Sequence, residues 1–206
     1  MHYCERCPEP ELLRPVSDVE ADCPGCGDRH AVRRLPLFVV TGASASGKTT
    51  VLPDLIAALP ECVVFDVDWL IDPLGRLCLP DPMDWTGFRD TWLSVAHGVA
   101  AGGRTTVLLG PFVPEQMAEL PARRWVTDIH FAVLDCSDEV RRARLAARPP
   151  WRERAVEEHV AFAARLRSEI TPVVRTDEKS PAQVAARLAA WVRELLRAST
   201  ADPVRW

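Results

Sequence analysis

The chain has 206 residues, with 25 Lys plus Arg against 29 Asp plus Glu and a formal net charge of −4. That balance argues against nucleic acid or an anionic membrane as the main partner. No run approaches the roughly 18 apolar residues of a membrane-spanning helix. With 48% apolar residues, the length suits one α/β domain carrying a small appendage. The N-terminus, Met-His-Tyr-Cys-Glu, has no basic region followed by an apolar stretch, so no secretory signal is expected. Cysteines in metal spacing rather than a disulfide framework point to a reducing, cytoplasmic setting.

Residues 1–34 read as a separate unit. Cys4-x2-Cys7 stands fifteen residues ahead of Cys23-x2-Cys26, a spacing that predicts a tetrahedral site for Zn2+ on four thiolates. His2 and His30 lie close enough in sequence for one of them to replace a sulfur. So short a segment builds little core of its own, and bound metal would supply its folding energy. Residues 1–36 hold five Arg against seven Asp plus Glu. A structural role, or contact with a protein partner, therefore fits the ribbon better than reading nucleic acid.

The next stretch organises the rest. Leu37-Phe38-Val39-Val40 predicts a buried strand, and Gly42-Ala43-Ser44-Ala45-Ser46-Gly47-Lys48-Thr49 follows it directly. This is the G-x-x-x-x-G-K-[ST] pattern between a strand and a helix. The glycines let successive N–H groups aim at phosphate oxygens, and the helix N-terminus adds its dipole. Lys48 would reach the β- and γ-phosphates of ATP, and Thr49 would ligate Mg2+, with Thr50 beside it in the first turn. Lys48 and Lys179 are the only lysines in a chain otherwise rich in Arg. A lysine kept here is the compact charge on a flexible stem that phosphate geometry asks for.

Helix is expected over 49–59, with Pro53 tolerated near its start. Cys62-Val63-Val64-Phe65 predicts a strand ending in Asp66-Val67-Asp68. Residues i and i+2 of a strand face one side, so both carboxylates would project together at the C-terminal sheet edge, where α/β sheets bind ligands. Residues 72–84 are a Pro-rich loop, and a helix follows over 85–100. Its Trp85, Phe88 and Trp92 share a face, either as a core stripe or as an aromatic wall for a flat substrate, with Arg89 or Arg104 offering a cation.

The strand at 105–109 ends in Gly110-Pro111-Phe112, without the acid a Walker B strand would place near Mg2+. That role passes to Asp66 or Asp68, with Asp135, at the end of the run 129–134, as a third candidate. Asp135 could equally open the turn that caps the next helix with Ser137. From Asp138 a helix carries Arg141, Arg142, Arg144 and Arg148, of which the first, third and fourth share a face. Pro149-Pro150 breaks it, and Trp151 opens a second helix to about Ile170. An Arg-rich helix end, a hinge and a second helix read as a lid near 148–156 that closes over phosphates. A short strand at 172–175 and a helix over 181–198, capped by Ser180 with Pro181 at its first position, complete the chain.

These parts resemble the P-loop small-molecule and nucleotide kinases, the group of adenylate, shikimate and gluconate kinases and chloramphenicol phosphotransferase. The resemblance runs over residues 36–197 and rests on the P-loop, on Phe65-Asp66-Val67-Asp68, on the segment from Leu134 to Arg148 and on the Ser180-Pro181 helix. It implies a three-layer α/β/α fold with a five-stranded parallel sheet in order 2-3-1-4-5, covering 35–198, with a tail at 199–206. It also implies transfer of the ATP γ-phosphoryl group to a small-molecule acceptor. Asp66 and Asp68 look like the shikimate-kinase acidic pair: Asp66 is assigned to the metal and Asp68 to the acceptor, an assignment that can swap. Arg144 and Arg148 match lid-side arginines. A nucleoside or nucleotide is the preferred acceptor, with Trp85, Phe88 and Arg89 contacting it, and a sugar, shikimate-like compound or antibiotic the alternative. A reading of another class is an ATP-driven switch whose ribbon engages a macromolecule.

Overall fold

The computed structural model describes residues 3–71, 84–149 and 155–201. At its centre is β4 (Leu37–Thr41), all five residues buried. Around it stand β5 (Cys62–Asp66), β6 (Thr105–Gly110), β7 (Ile129–Asp135) and β8 (Val173–Arg175), in the order β5-β6-β4-β7-β8. Every pairing is parallel. Counted within this sheet alone, the order is 2-3-1-4-5. A parallel sheet is covered on both faces, which is why its strands read as continuous apolar runs rather than alternating ones.

Helices α1 (Lys48–Ala58) and α6 (Pro181–Ala201) cover one face of the sheet. Val51, Leu55 and Leu59 meet Val184, Leu188 and Val192 there, over Phe38, Val40, Val107 and Leu109. The other face carries α2 (Trp85–Ala101) and the short α3 (Pro114–Met117), with Phe88, Trp92, Leu93 and Met117 against Leu37, Val39 and Leu108. Helices α4 (Asp138–Ala146) and α5 (Val156–Glu169) finish the layer near β7 and β8. Leu166 and Ile170 pack there on Val133.

Local chemistry sets the helix starts. Asp84 accepts from the amides of Thr86 and Gly87, both at 3.0 Å, and so opens α2. Ser137 caps α4 through the Val140 amide at 3.3 Å. Ser180 and Gln183 cap α6 reciprocally, each side chain accepting the other's amide. The second expected helix begins, where described, at Val156 rather than Trp151. Residues 151–154, and with them the middle of the expected lid, lie outside the described residues.

Ahead of the sheet, β1 (Arg14–Pro15), β2 (Glu20–Asp22) and β3 (Arg29–Ala31) form a small antiparallel sheet in the order β1-β2-β3. Its core consists of Cys4, Leu13, Ala21 and Cys23 around Trp125, a residue of the main body's 3-10 turn Pro121–Trp125. The short segment lacks the apolar mass for a core and takes the missing side chain from its neighbour. Arg34 adds a bond to the Val126 carbonyl at 3.1 Å.

Candidate active site

The loop joining β4 to α1 closes tightly because of two glycines. A Cβ at Gly42 would lie 2.5 Å from the Leu134 carbonyl oxygen and 2.7 Å from Ser46 Oγ, so only glycine lets the loop approach β7. Gly47 sits at φ 99° and Ala45 at φ 63°, left-handed conformations that curl the backbone around its own amides. Ser44, Ala45, Ser46, Gly47, Lys48, Thr49 and Thr50 line one cavity of about 670 Å³, while Gly42 and Ala43 lie buried beneath it.

Lys48 Nζ donates to the carbonyls of Gly42 at 2.5 Å and Ala43 at 3.3 Å. Burial pushes its ammonium down to about 8, against the opposing pull of Asp68 and Asp66. A desolvated cation beside the loop's backbone is a chemistry that can receive anionic oxygens.

The two aspartates differ from the strand pair expected of them. β5 stops at Asp66, and Val67–Leu70 is a 3-10 turn. Asp66 is 7% exposed, and its Oδ1 accepts the Asp68 amide at 3.0 Å. That bond is what bends the chain out of the strand, a local Asx competition with extended structure. Asp68 is exposed and lines the cavity. The carboxylates therefore do not project side by side: one fastens the turn and the other faces the loop.

The tip of β6 makes this possible. A Cβ at Gly110 would fall 2.5 Å from Val67 Cγ2 and 2.9 Å from Cγ1. Where a Walker B acid would stand, the chain instead leaves room for Val67. The turn crosses the strand end there and carries Asp68 to the phosphate loop.

Asp135 is neither a metal-facing acid nor a helix cap. It is 1% exposed and ion-paired with Arg141, with Arg167 at 3.0 Å and with Arg175 at 3.5 Å. Arg144 and Arg148 both line the cavity, and Arg144 donates to the Ala45 carbonyl at 3.1 Å and to Thr176 Oγ1 at 3.2 Å. Arg142 points away and pairs with Glu157 at 3.0 Å. Phe88 and Trp92 are 2% and 1% exposed in the apolar core, so neither offers a face to a ligand. Trp85 is 49% exposed and meets Phe88 edge-on at 5.7 Å. Burial lowers the half-buried Arg89 guanidinium from its ordinary value. Arg104 is spent on the carbonyl of Pro60 at 2.8 Å.

Sequence reasoning missed Thr176, Lys179 and His159, which line the same cavity from the β8–α6 connection and from α5. Lys179 had a usable signal. The chain's two lysines both stand on this one cavity. Thr176 had none, because its task, donating to the Ser46 carbonyl at 2.9 Å, spans 130 residues.

The four ribbon cysteines are free thiols whose sulfurs all lie within 4.8 Å of one another. Cys4 and Cys26 are 3.6 Å apart, and Cys7 and Cys23 are 3.4 Å apart. Four sulfurs about 2.3 Å from one tetrahedral ion would be about 3.8 Å apart, so this arrangement fits zinc. Burial raises the Cys23 thiol, but the Cys26 amide, the Cys7 thiol and the Gly25 amide outweigh it and bring it to about 7. His30 lies beside Cys4 and Asp28 in a second possible ligand set. His2 is outside the described residues.

The chain matches the family model described as AAA domain over residues 37–173. No curated protein matches it. The fold is shared with the tunicamycin resistance protein of Deinococcus radiodurans, at TM-score 0.58 and 20% identity over 78% of this chain and 96% of that one. A sugar kinase from Janibacter sp. HTCC2649 aligns at TM-score 0.56 and 18% identity, over 78% and 94%. A gluconokinase from Sinorhizobium meliloti 1021 aligns at TM-score 0.51 and 20% identity, over 81% and 99%. At these identities the likeness is one of fold.

Proposed function

The chain belongs to the AAA domain family of P-loop proteins, and from that premise we propose that it is an ATP-dependent kinase acting on a hydroxyl of a small molecule. The observation that carries this reading is Asp68. It is an exposed carboxylate on the same cavity as Lys48 and the phosphate loop, brought there by the 3-10 turn that Asp66 caps.

In this reading the loop amides and Lys48 hold the β- and γ-phosphates, and Arg148 and Arg144 neutralise charge that develops during transfer. Asp68 orients the acceptor hydroxyl and accepts its proton as the γ-phosphoryl group passes in line from ATP to that oxygen and ADP leaves. Thr49 and the second carboxylate oxygen of Asp66 are the groups that would hold Mg2+, which would neutralise phosphate charge when bound. Zinc in the Cys4, Cys7, Cys23 and Cys26 cluster is assigned a structural role.

Of the aromatic stripe only Trp85 offers a surface, so the support for a flat acceptor narrows to Trp85 and Arg89. A polyhydroxylated acceptor is therefore placed ahead of a nucleoside or nucleotide, in keeping with the sugar kinase and gluconokinase that share the fold. The nucleotide-switch reading is not favoured. Arg33 of the ribbon packs on Gly103, just before β6, so the ribbon lies at the strand N-termini, away from the cavity. Among the described residues no helix is long and apolar enough to cross a membrane.

The test is ADP release from Mg-ATP across sugars, sugar acids, nucleosides, nucleoside monophosphates and aminocyclitols. One class should stimulate release, and Lys48→Ala should abolish it with the fold intact. Turnover retained in that variant, or ATP bound and not consumed across the panel, would overturn the proposal.

A further inference from the structure

We infer that Arg141 is a positioning residue for the phosphate-binding loop, held in place by Asp135 and acting on the Ala45 amide without touching nucleotide. The inference rests on the reading of the cavity as a nucleotide site.

Arg141 is fully buried, so it cannot reach a ligand in the cavity. Its two terminal nitrogens point to different partners. Nη1 donates to the Ser44 carbonyl at 2.6 Å and Nη2 to Asp135 Oδ1. A trans peptide is planar, with its N–H opposite its C=O. Fixing the Ser44 carbonyl outward therefore turns the Ala45 amide the other way, toward the anion site. Thr176 Oγ1, on the Ser46 carbonyl at 2.9 Å, does the same for the Gly47 amide.

Such a brace is needed because Ala45 sits at φ 63°, a conformation a residue with a Cβ keeps only when its surroundings over-determine it. The anchor behind the brace is correspondingly rigid. Asp135, Asp138 and Asp177 interleave with Arg141, Arg167 and Arg175, three carboxylates against three guanidiniums. Asp177 also accepts the Ser137 amide at 2.6 Å, which ties the start of α4 to the same cluster. The cluster draws on β7, α4, α5 and β8, so four elements act on the loop's shape in addition to its own glycines. The guanidinium reaches its two partners from two nitrogens held in a fixed planar fork, a geometry that a lysine ammonium, a point donor on a flexible stem, does not reproduce.

The experiment is fluorescent-ATP binding to wild type, Arg141→Lys and Arg142→Gln. Arg142 is on the same helix but pairs only at the surface. Arg141→Lys should weaken binding at least tenfold, while Arg142→Gln stays within twofold. In wild type the Ala45 amide resonance should move on adding pyrophosphate, and in Arg141→Lys that movement should be lost. If Arg141→Lys does not fold, Asp135→Glu, which displaces the guanidinium by one methylene, carries the same expectation. A folded variant with lowered melting temperature but wild-type affinity would overturn the inference and leave the nucleotide site standing. A wild-type chain that binds no ATP would instead remove the nucleotide reading, and this inference with it.

Discussion

The turn that carries Asp68 rests on an absent methyl group, and this gives a quantitative test. In Gly110→Ala the new Cβ would meet Val67 at 2.5 Å (Cγ2), 2.9 Å (Cγ1) and 3.3 Å (Cβ). Carbon atoms prefer about 3.5–4.0 Å, so the two valine methyls must move, and valine has little rotamer freedom to do so. Overpacking of this kind costs about 1–3 kcal/mol. For a chain of this size, 2 kcal/mol lowers the melting temperature by about 4–8 °C. Val67→Ala alone removes two buried methyl groups, worth about 1.6 kcal/mol at 0.8 kcal/mol each.

Independent sites would add to about 3.6 kcal/mol in the double variant. The geometry says otherwise, because Val67→Ala removes both of the clashing methyls. The double variant should be no less stable than Val67→Ala, a coupling of about 2 kcal/mol. Acceptor turnover should follow the same cycle: a displacement of about 1 Å at Asp68 costs on the order of 10²-fold, recovered in the double variant. Denaturant melts of the four proteins measure the cycle. Additive losses, or a neutral Gly110→Ala, would refute the claim that this glycine makes room for the turn.

Two further expectations concern charge and metal. Lys48, moved by burial from 10.5 to about 8, leaves the folded chain with fewer bound protons than the unfolded one between those values, so stability should rise with pH across that window. Below pH 8 the charge costs up to about 3 kcal/mol by the 1.36 kcal/mol per unit conversion, so Lys48→Met should be more stable at pH 7 and lack the rise. ATP binding should take up a proton near pH 9, read by calorimetry in two buffers; no uptake, with identical pH profiles for wild type and variant, would refute the assignment. Elemental analysis should find one zinc per chain and none in Cys23→Ser. Because Cys23 shares a core with Trp125, that variant should also melt lower. A metal-free wild type, with melting unaffected by chelator, would exclude the zinc site.

What the sequence made legible was local. The P-loop, the two C-x-x-C pairs and the Ser180-Pro181 cap are each complete within a few residues, and each took the expected form. The strand order was not local: it came from the resemblance to the P-loop kinases, and the sheet has it. The failures share a cause, which is a decisive partner far away in the chain. Asp66 and Asp68 read as a strand pair because nothing near them announces that Gly110 has cleared space for a turn. Asp135 read as a candidate acid because two of the three arginines that occupy it, Arg167 and Arg175, arrive from other elements. The aromatic stripe on α2 was correctly periodic. Periodicity alone does not say that its first residue overhangs the core while the next two enter it.

The ribbon's position limits what its metal can do. Arg34 reaches the Val126 carbonyl and Arg33 packs over Gly103, both just before strands begin, whereas Gly42 and Asp68 lie past the ends of strands. The five residues of β4 between these edges span about 17 Å at 3.3 Å each. A ribbon at that distance supplies no group to the phosphates and cannot serve as a lid. Its apolar contact with the body runs through Trp125, which stacks on His97 of α2 with ring centroids 4.7 Å apart. Trp85 stands at the other end of that helix, twelve residues earlier. Loss of metal should therefore act first on stability at the base of α2. Any effect on turnover has to travel along that helix to the acceptor side, leaving the phosphate loop and its braces unchanged.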